Sequence, residues 1–144
     1  MHISEVIRRK GANVVTARPD DTVAQLIALL EEHRIGALVV SADGGESVAG
    51  IVSERDVVRH LHLDGPSVLE ATVSSIMTTE VETCAPEDDL ESLARRMTEL
   101  RVRHLPVVVD GRLKAIVSIG DVMKNRIDEL QDERDQLVTY VQHP

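Results

Sequence analysis

The sequence predicts an α/β (α+β) fold made of two pseudo-symmetric repeats, each a small sheet packed on two helices, that together form one module. Three observations predict it. The chain repeats itself, short helices alternate with short strands in each copy, and 144 residues suffice for one ordinary domain or two very small ones. Because a single copy of about 60 residues is marginal as a folding body, we expect the copies to bury apolar surface against each other.

The repeat consists of ordered identities between the two halves of the chain. An offset of 67 residues aligns the halves through their Asp-Gly turns, and an offset of 65 aligns the remainder after a two-residue insertion in the first copy. The identical pairs include Thr16 and Thr83, Pro19 and Pro86, Leu38 and Leu105, Ser53 and Ser118, and Asp56 and Asp121. A shared apolar pattern alone would not align Thr, Pro, Ser and Asp. We therefore divide the chain into repeat 1 (1–66), repeat 2 (67–125) and a C-terminal helical extension (126–144).

Each copy shows the same predicted order of elements. A short helix (3–9 and 73–78) precedes a brief strand (14–16 and 81–83), and an amphipathic helix follows an acidic start. Two short apolar runs (37–41 and 104–109) are typical of buried strands, and each returns as a second strand (48–53 and 113–118). Glycine-containing hairpin turns are expected at 43–45 and 110–111. A helix closes each copy, from Glu54 and from Ile119.

Composition and charge exclude several classes of protein. The net charge of −9 disfavours binding to nucleic acid and to anionic membrane surfaces. No apolar run approaches the roughly 18 residues of a membrane span, and the N-terminus does not resemble a signal peptide. The single cysteine, Cys84, fits a reducing compartment, so we expect a cytoplasmic protein. With one Tyr and no Phe or Trp, aliphatic side chains would have to hold any flat ligand.

Three motifs resemble those of a known family. Residues 51–56 (Ile-Val-Ser-Glu-Arg-Asp) and 116–121 (Ile-Val-Ser-Ile-Gly-Asp) are similar to the strand-to-helix turn that marks CBS (cystathionine-β-synthase) domains. Residues 103–108 (Arg-His-Leu-Pro-Val-Val) resemble the Leu-Pro-Val strand of the same family. The resemblance covers about residues 3–125 and is to a tandem CBS pair, or Bateman module, of the stand-alone bacterial type. It implies adenine-nucleotide binding between the repeats and assembly as a flat dimer.

The Ser-x-x-Asp spacing has a physical use at such a turn. A hydroxyl and a carboxylate meet beside the free N–H groups of a helix N-terminus, where a phosphate and the two hydroxyls of a ribose can bind. The resemblance assigns Asp56 and Asp121 to ribose, and Ser53 and Ser118 to ribose or phosphate. It assigns Thr16 and Thr83 to the adenine pocket and the backbone at Ala37, Leu38, His104 and Leu105 to the base edge. The alternative is that Ser-x-x-Asp is only a helix cap.

The two sites are not expected to be equal. Repeat 2 carries more cations, and its Pro106 matches the family's strand, whereas Val39 occupies that position in repeat 1. We therefore expect the stronger phosphate site to be that of Asp121. Repeat 2 contains Arg101, Arg103, His104 and Lys124, whereas repeat 1 contains Arg34, Arg55 and Arg59. For Arg101 and Arg103, favouring the negative end of a helix dipole is the alternative role.

Catalysis and metal binding find no support in the sequence. Cys84 has no base partner by spacing, no nucleotide-hydrolysis or hydrolase motif is present, and the six histidines show no metal-ligand spacing, His60 and His62 included. We therefore expect a protein that is not an enzyme, that has no cofactor and that holds no metal.

The C-terminal segment carries a heptad seam. Met123, Ile127, Leu130, Arg134, Leu137 and Val141 are spaced 4, 3, 4, 3 and 4, as in a coiled coil interrupted by one arginine. The seam packs either on its own module or, as we prefer, on another chain, so we expect a homodimer and leave room for an unidentified protein target.

Taken together, the residues and the resemblance favour a non-enzymatic regulatory module. Its expected ligand is AMP, ADP, ATP or a related adenosyl compound such as NAD(H) or S-adenosylmethionine. The rival hypothesis is a ligand-free structural or interaction protein that acts through dimerisation and its C-terminal helix.

Overall fold

Two small sheets and five α-helices form the fold in the computed structural model, which describes residues 1–143. The first half contains α1 (Ile3–Lys10), β1 (Thr16–Ala17), α2 (Val23–His33), β2 (Ala37–Val40), β3 (Gly50–Ser53) and α3 (Glu54–Asp64). Two 3₁₀ helices (Gly65–Glu70 and Val73–Ser75) lead to α4 (Leu90–Leu100), β4 (His104–Val109), β5 (Arg112–Ser118) and α5 (Ile119–Gln142). This mixed architecture of two similar halves confirms the predicted α/β (α+β) class.

The two sheets differ in their first strand. In the first sheet, β2 pairs in parallel with β1 and antiparallel with β3, whereas the second sheet contains only the antiparallel pair β4 and β5. A single parallel bridge between Cys84 and Val107 replaces the missing strand. The strand predicted over 81–83 is therefore wrong. The backbone of Thr78 instead exchanges two hydrogen bonds with Ile51 of β3, at 3.0 and 2.9 Å. These bonds hold the chain against repeat 1 just before the predicted strand.

The helix predicted over 73–78 is also wrong in type and length. Only Val73–Ser75 is helical, as a 3₁₀ turn. The hydroxyl of Ser75 donates to the carbonyl of Thr72 at 2.6 Å, and such local side-chain bonds compete with a regular α-helix.

One of the two predicted hairpin turns is tight. Asp110 and Gly111 adopt φ values of 51° and 76°, and two successive positive φ values are what a two-residue hairpin turn requires. In repeat 1 the corresponding glycines, Gly44 and Gly45, belong to a longer loop between β2 and β3. The prediction of a tight turn there is wrong, because the two-residue insertion lies in this loop and Asp43 organises it by accepting bonds from Ser41 and Ser47.

The first segment of each repeat packs in the core of the other repeat. Ile3 and Val6 of α1 belong to the core of repeat 2, which also contains α4, β4, β5 and Val122. Conversely, Val73 and Ile76 belong to the core of repeat 1, with α2, β2 and β3. Equivalent backbone hydrogen bonds hold the two segments in place. The N–H groups of Ile3 and Ser4 donate to the carbonyls of Asp88 and Pro86, at 3.0 and 2.9 Å. The N–H groups of Val73 and Ser74 donate in the same way to the carbonyls of Asp21 and Pro19, at 2.8 and 3.0 Å. The repeats therefore interleave, although the division into 1–66 and 67–125 follows the sequence.

Candidate functional site

A cleft of about 550 Å³ lies where the two repeats meet, within the size range of small-molecule sites. Four segments form it: the loop before β2, the turn from β3 into α3, the linker 78–82, and the loop from α4 into β4. We call it the Asp56 cleft. It is lined by Gly36, Ala37, Ile51, Ser53, Glu54, Arg55, Asp56, Val58, Thr78, Glu80, Val81, Glu82, Arg101, Val102, Arg103 and His104.

Ser53 and Asp56 form a reciprocal helix cap at one side of the cleft. The backbone N–H of Ser53 donates to Asp56 Oδ2 at 2.9 Å, and the N–H of Asp56 donates to Ser53 Oγ at 3.3 Å. The other carboxylate oxygen accepts a bond from Arg59 at 2.6 Å. Asp56 is buried, whereas Arg59 is more than half exposed. The carboxylate is therefore fixed by the backbone and covered by a cation that can move into solvent.

Three arginines and a histidine share this cleft with Asp56. Arg55 follows the β3 turn, and Arg101, Arg103 and His104 come from the loop of repeat 2. The sequence groups these last three with Asp121, and the structure places them between the two turns. They line the Asp56 cleft, but His104 also pairs with Ser118 in the second sheet, and the carbonyl of Arg103 accepts a bond from the N–H of Ile119 at 2.8 Å. Burial is the main cause that lowers the pKa of His104, with a contribution from Lys10, so the imidazole is neutral at pH 7.

The second Ser-x-x-Asp turn has the same cap and a different cation. Ser118 N donates to Asp121 Oδ2 at 2.9 Å, and Asp121 N donates to Ser118 Oγ at 3.1 Å. The ammonium group of Lys10, at the end of α1, donates to Asp121 Oδ2 at 2.5 Å and to the carbonyl of Ile116 at 2.9 Å. Burial alone would raise the pKa of Asp121, but hydrogen bonds from Lys10 and Ser118 outweigh it and lower that pKa. A ribose could bind this carboxylate only beside Lys10 or in its place.

The other predicted residues lie outside the lining of the Asp56 cleft. Leu38 and Leu105 are buried in the two cores, so only their backbone could contact a ligand. Thr16 pairs with Val39 in the first sheet, and the carbonyl of Thr83 accepts a bond from Arg96 at 3.0 Å. Pro106 is buried in β4, and Lys124 is exposed on α5.

The linker 78–82 is the one segment of this cleft in which the sequence predicts no site residue. Thr78, Glu80, Val81 and Glu82 line the cleft, and Gly50 explains how the linker comes so close. A Cβ atom on Gly50 would lie 2.7 Å from the sulfur of Met77 and 2.8 Å from the carbonyl oxygen of Thr78. The available signal was a glycine inside a short predicted strand, which often marks close backbone approach.

We expect Gly50→Ala to destabilise the protein and loosen the cleft. The new methyl group must push the Thr78 backbone away, and overpacking of this kind costs about 1–3 kcal/mol. Chemical denaturation of the variant measures the loss. Gly120→Ala is the matched control, because its Cβ would meet only Ser118 Oγ at 3.6 Å and alanine favours a helix. Equal stability of Gly50→Ala and the parent protein would contradict this account of the linker.

Neither a metal centre nor an activated nucleophile is visible in the part of the chain that the structure describes. Within residues 1–143, no group of three or more His, Cys, Asp or Glu side chains could hold a metal ion. Burial raises the pKa of the Cys84 thiol to about 12, so this cysteine is a core residue with little thiolate. Across the same residues, no helix has both the length and the apolar character that a membrane crossing requires.

Comparison with known proteins matches both halves of the chain. The sequence model of the family described as CBS domain matches residues 3–63 and 73–128. The CBS domain-containing protein CBSX3, mitochondrial, of Arabidopsis thaliana is 35% identical over 97% of this chain and 71% of its own length. The crystal structure of the CBS-domain containing protein ATU1752 from Agrobacterium tumefaciens has a TM-score of 0.83 and 40% identity, covering 88% of this chain and 99% of that one.

A more distant structure shares the fold. The CBS domain pair of protein MJ0100, solved in complex with 5′-methylthioadenosine and S-adenosyl-L-methionine, has a TM-score of 0.78 and 21% identity, covering 90% of this chain and 98% of that one.

Proposed function

The chain belongs to the CBS-domain family as a tandem pair, and on that premise we propose that it is a regulatory module that binds an adenine nucleotide in the Asp56 cleft. The observation that carries the proposal is the meeting of one fixed carboxylate with three arginines in a cleft between the repeats. These are the groups that a ribose and a phosphate need.

The carboxylate of Asp56 is suited to the sugar. It already accepts hydrogen bonds at fixed positions from Ser53, and a carboxylate can accept bonds from both hydroxyls of a ribose. Arg59 would have to release one oxygen for the second bond. Because that side chain is more than half exposed, its guanidinium can be solvated by water at little cost.

The arginines favour a ligand with phosphate groups. In a chain of net charge −9, an anion can bind only where cations are placed locally. Arg55, Arg101 and Arg103 supply three in one cleft, although Glu54, Glu80 and Glu82 share the lining. We therefore favour AMP, ADP, ATP or NAD(H) over S-adenosylmethionine, whose sulfonium is positive.

Aliphatic side chains supply the surface for the base. Ile51, Val58, Val81 and Val102 line the cleft, and no Phe, Tyr or Trp is among the described lining residues. MJ0100 supports the proposal only in showing that a related CBS pair accommodates adenosine compounds.

We propose that binding changes the shape of the module or its affinity for a partner, without turnover of the nucleotide. Competition among AMP, ADP and ATP for one cleft would then make the protein a cytoplasmic sensor of energy state that acts as a homodimer. The neutral His104 and the buried, protonated Cys84 fit a binding role. The rival, a ligand-free interaction protein, is favoured by the exposed apolar residues of α5.

A thermal-shift screen separates the two. A ligand at 100 times its dissociation constant adds about 2.7 kcal/mol, so the melting temperature should rise by about 5–10 °C. The screen compares AMP, ADP, ATP, NADH, S-adenosylmethionine and methylthioadenosine, with GTP as the control. We expect the phosphate-bearing adenine compounds to give the largest shifts and to be recovered intact. If no adenosine compound shifts the midpoint, the nucleotide proposal is wrong and the interaction protein is favoured.

A further inference from the structure

The last part of α5 extends away from the module. Val122 and Asn125, near its beginning, are buried, but every residue from 131 to 143 is exposed. At 1.5 Å per residue this free end is about 20 Å long. Helices in proteins gain most of their stability from packing an apolar face, so a contact with another chain would stabilise this free end.

Five of the seven exposed large apolar residues of α5 lie along one seam, and the other two, Val138 and Tyr140, flank it. Met123 is 55% exposed, Leu137 is 65% exposed and Val141 is 75% exposed, with Ile127 and Leu130 between them also exposed. Their spacing of three and four residues keeps them on one side of the helix. The seam therefore extends along the same side of α5 from its anchored half, near the buried Val122 and Asn125, to its free end. Arg134 is its one polar member.

We propose that the seam pairs antiparallel with the seam of a second copy of this chain. An antiparallel pair centred near Asp132 aligns every seam residue with another. Leu137 meets the partner's Ile127, Val141 meets the partner's Met123, and Arg134 meets the partner's Leu130. Each free end then lies on the anchored half of the partner's α5, which explains why both halves carry exposed apolar residues.

Charge decides between the two orientations. In a parallel pair the same position of each helix faces itself, so Arg134 would meet the partner's Arg134 in the apolar seam, where like charges repel strongly. In the antiparallel pair, the aliphatic part of Arg134 covers a leucine, and its guanidinium reaches toward an acidic segment. That segment contains Asp128, Glu129, Asp132, Glu133 and Asp135. This pairing does not depend on the proposed nucleotide site.

Cysteine cross-linking tests the orientation directly. Ile127→Cys and Leu137→Cys are prepared as separate full-length proteins, mixed in equal amounts, and treated with oxidant or a short bismaleimide. The native Cys84 stays, because it is buried with a raised pKa. We expect the mixture to form a 127–137 cross-linked dimer about tenfold more than either protein alone. The matched control is a mixture of Asp128→Cys and Asp135→Cys, which lie one residue after Ile127 and two residues before Leu137, off the seam.

Each outcome decides the proposal. Preferential 127–137 cross-linking supports the antiparallel pair. Leu137→Cys that links to itself as well as the mixture does would show a parallel pair and overturn it. Cross-linking no greater than that of the Asp128 and Asp135 control would show that α5 does not cover α5, and also overturns it. Sedimentation of Leu137→Lys, an exposed change that spares the fold, should show weaker association than the parent.

Discussion

Replacing Asp56 with alanine should weaken adenine-nucleotide binding about 10- to 100-fold. Hydrogen bonds to a charged group contribute about 1.5–3 kcal/mol each, and each 1.4 kcal/mol is a tenfold change in dissociation constant. The substitution removes the ribose acceptor while the arginines stay in the cleft. Calorimetric titration with ADP measures the change. The module should remain folded, because loss of the cap costs only about 1 kcal/mol.

Asp121→Ala is the matched control for this result. It removes the same capping carboxylate from the same kind of turn, but in the second half of the chain. We expect a similar loss of stability and less than a threefold change in affinity for the Asp56 cleft.

A 2′-deoxynucleotide should bind the parent protein more weakly than the ribonucleotide, and the difference in affinity between the two should be smaller in Asp56→Ala. If Asp56→Ala lowers the melting temperature yet binds ADP normally, Asp56 is only a helix cap.

Replacing Lys10 with methionine should open a second nucleotide site. The ammonium group of Lys10 now occupies Asp121 Oδ2 and is also held by the carbonyl of Ile116. A ribose must displace a charge-assisted bond there, which costs about as much as it gains. Without the ammonium group, Ser118 and Asp121 present the same acceptors as Ser53 and Asp56. We expect calorimetry to change from one ADP bound per chain to two, the second more weakly than the first.

Lys114→Met is the control for the Lys10 substitution. It is the same chemical change, and Lys114 is exposed on β5, away from both turns. It should leave the stoichiometry at one. A stoichiometry of one in Lys10→Met would mean that Lys10 does not close the second site. Loss of binding in Lys10→Met would mean that Lys10 contacts the nucleotide, and that the Asp121 turn is the principal site.

Local patterns in the sequence predicted those elements that local interactions determine. The starts of α3 and α5 follow from Ser53 and Ser118, because a serine followed three residues later by a carboxylate is a common local cap of a helix. The tight turn at Asp110 and Gly111 follows from residues that tolerate positive φ. The family resemblance rests on these same turns, and the sequence match over both halves confirms it.

The arrangement of the repeats depends on contacts far apart in sequence. The leading helix of each repeat packs in the other core, and an apolar spacing such as that of Ile3 and Val6 does not specify which core it enters. The same exchange brings Lys10 to Asp121, more than 100 residues away, whereas Arg103 and His104 line the Asp56 cleft and also adjoin the Ser118 turn. A ranking of the two sites by the cations within each repeat therefore could not identify which carboxylate those cations meet.

The central claim is that one adenine nucleotide binds between the repeats at Asp56, and a crystal structure of the protein grown with ADP tests it most directly. We expect the ribose hydroxyls within hydrogen-bonding distance of Asp56, and the phosphates beside Arg55, Arg101 or Arg103. Lys10 should remain on Asp121. A nucleotide bound at Asp121 with the Asp56 cleft empty, or bound outside both turns, would contradict the claim.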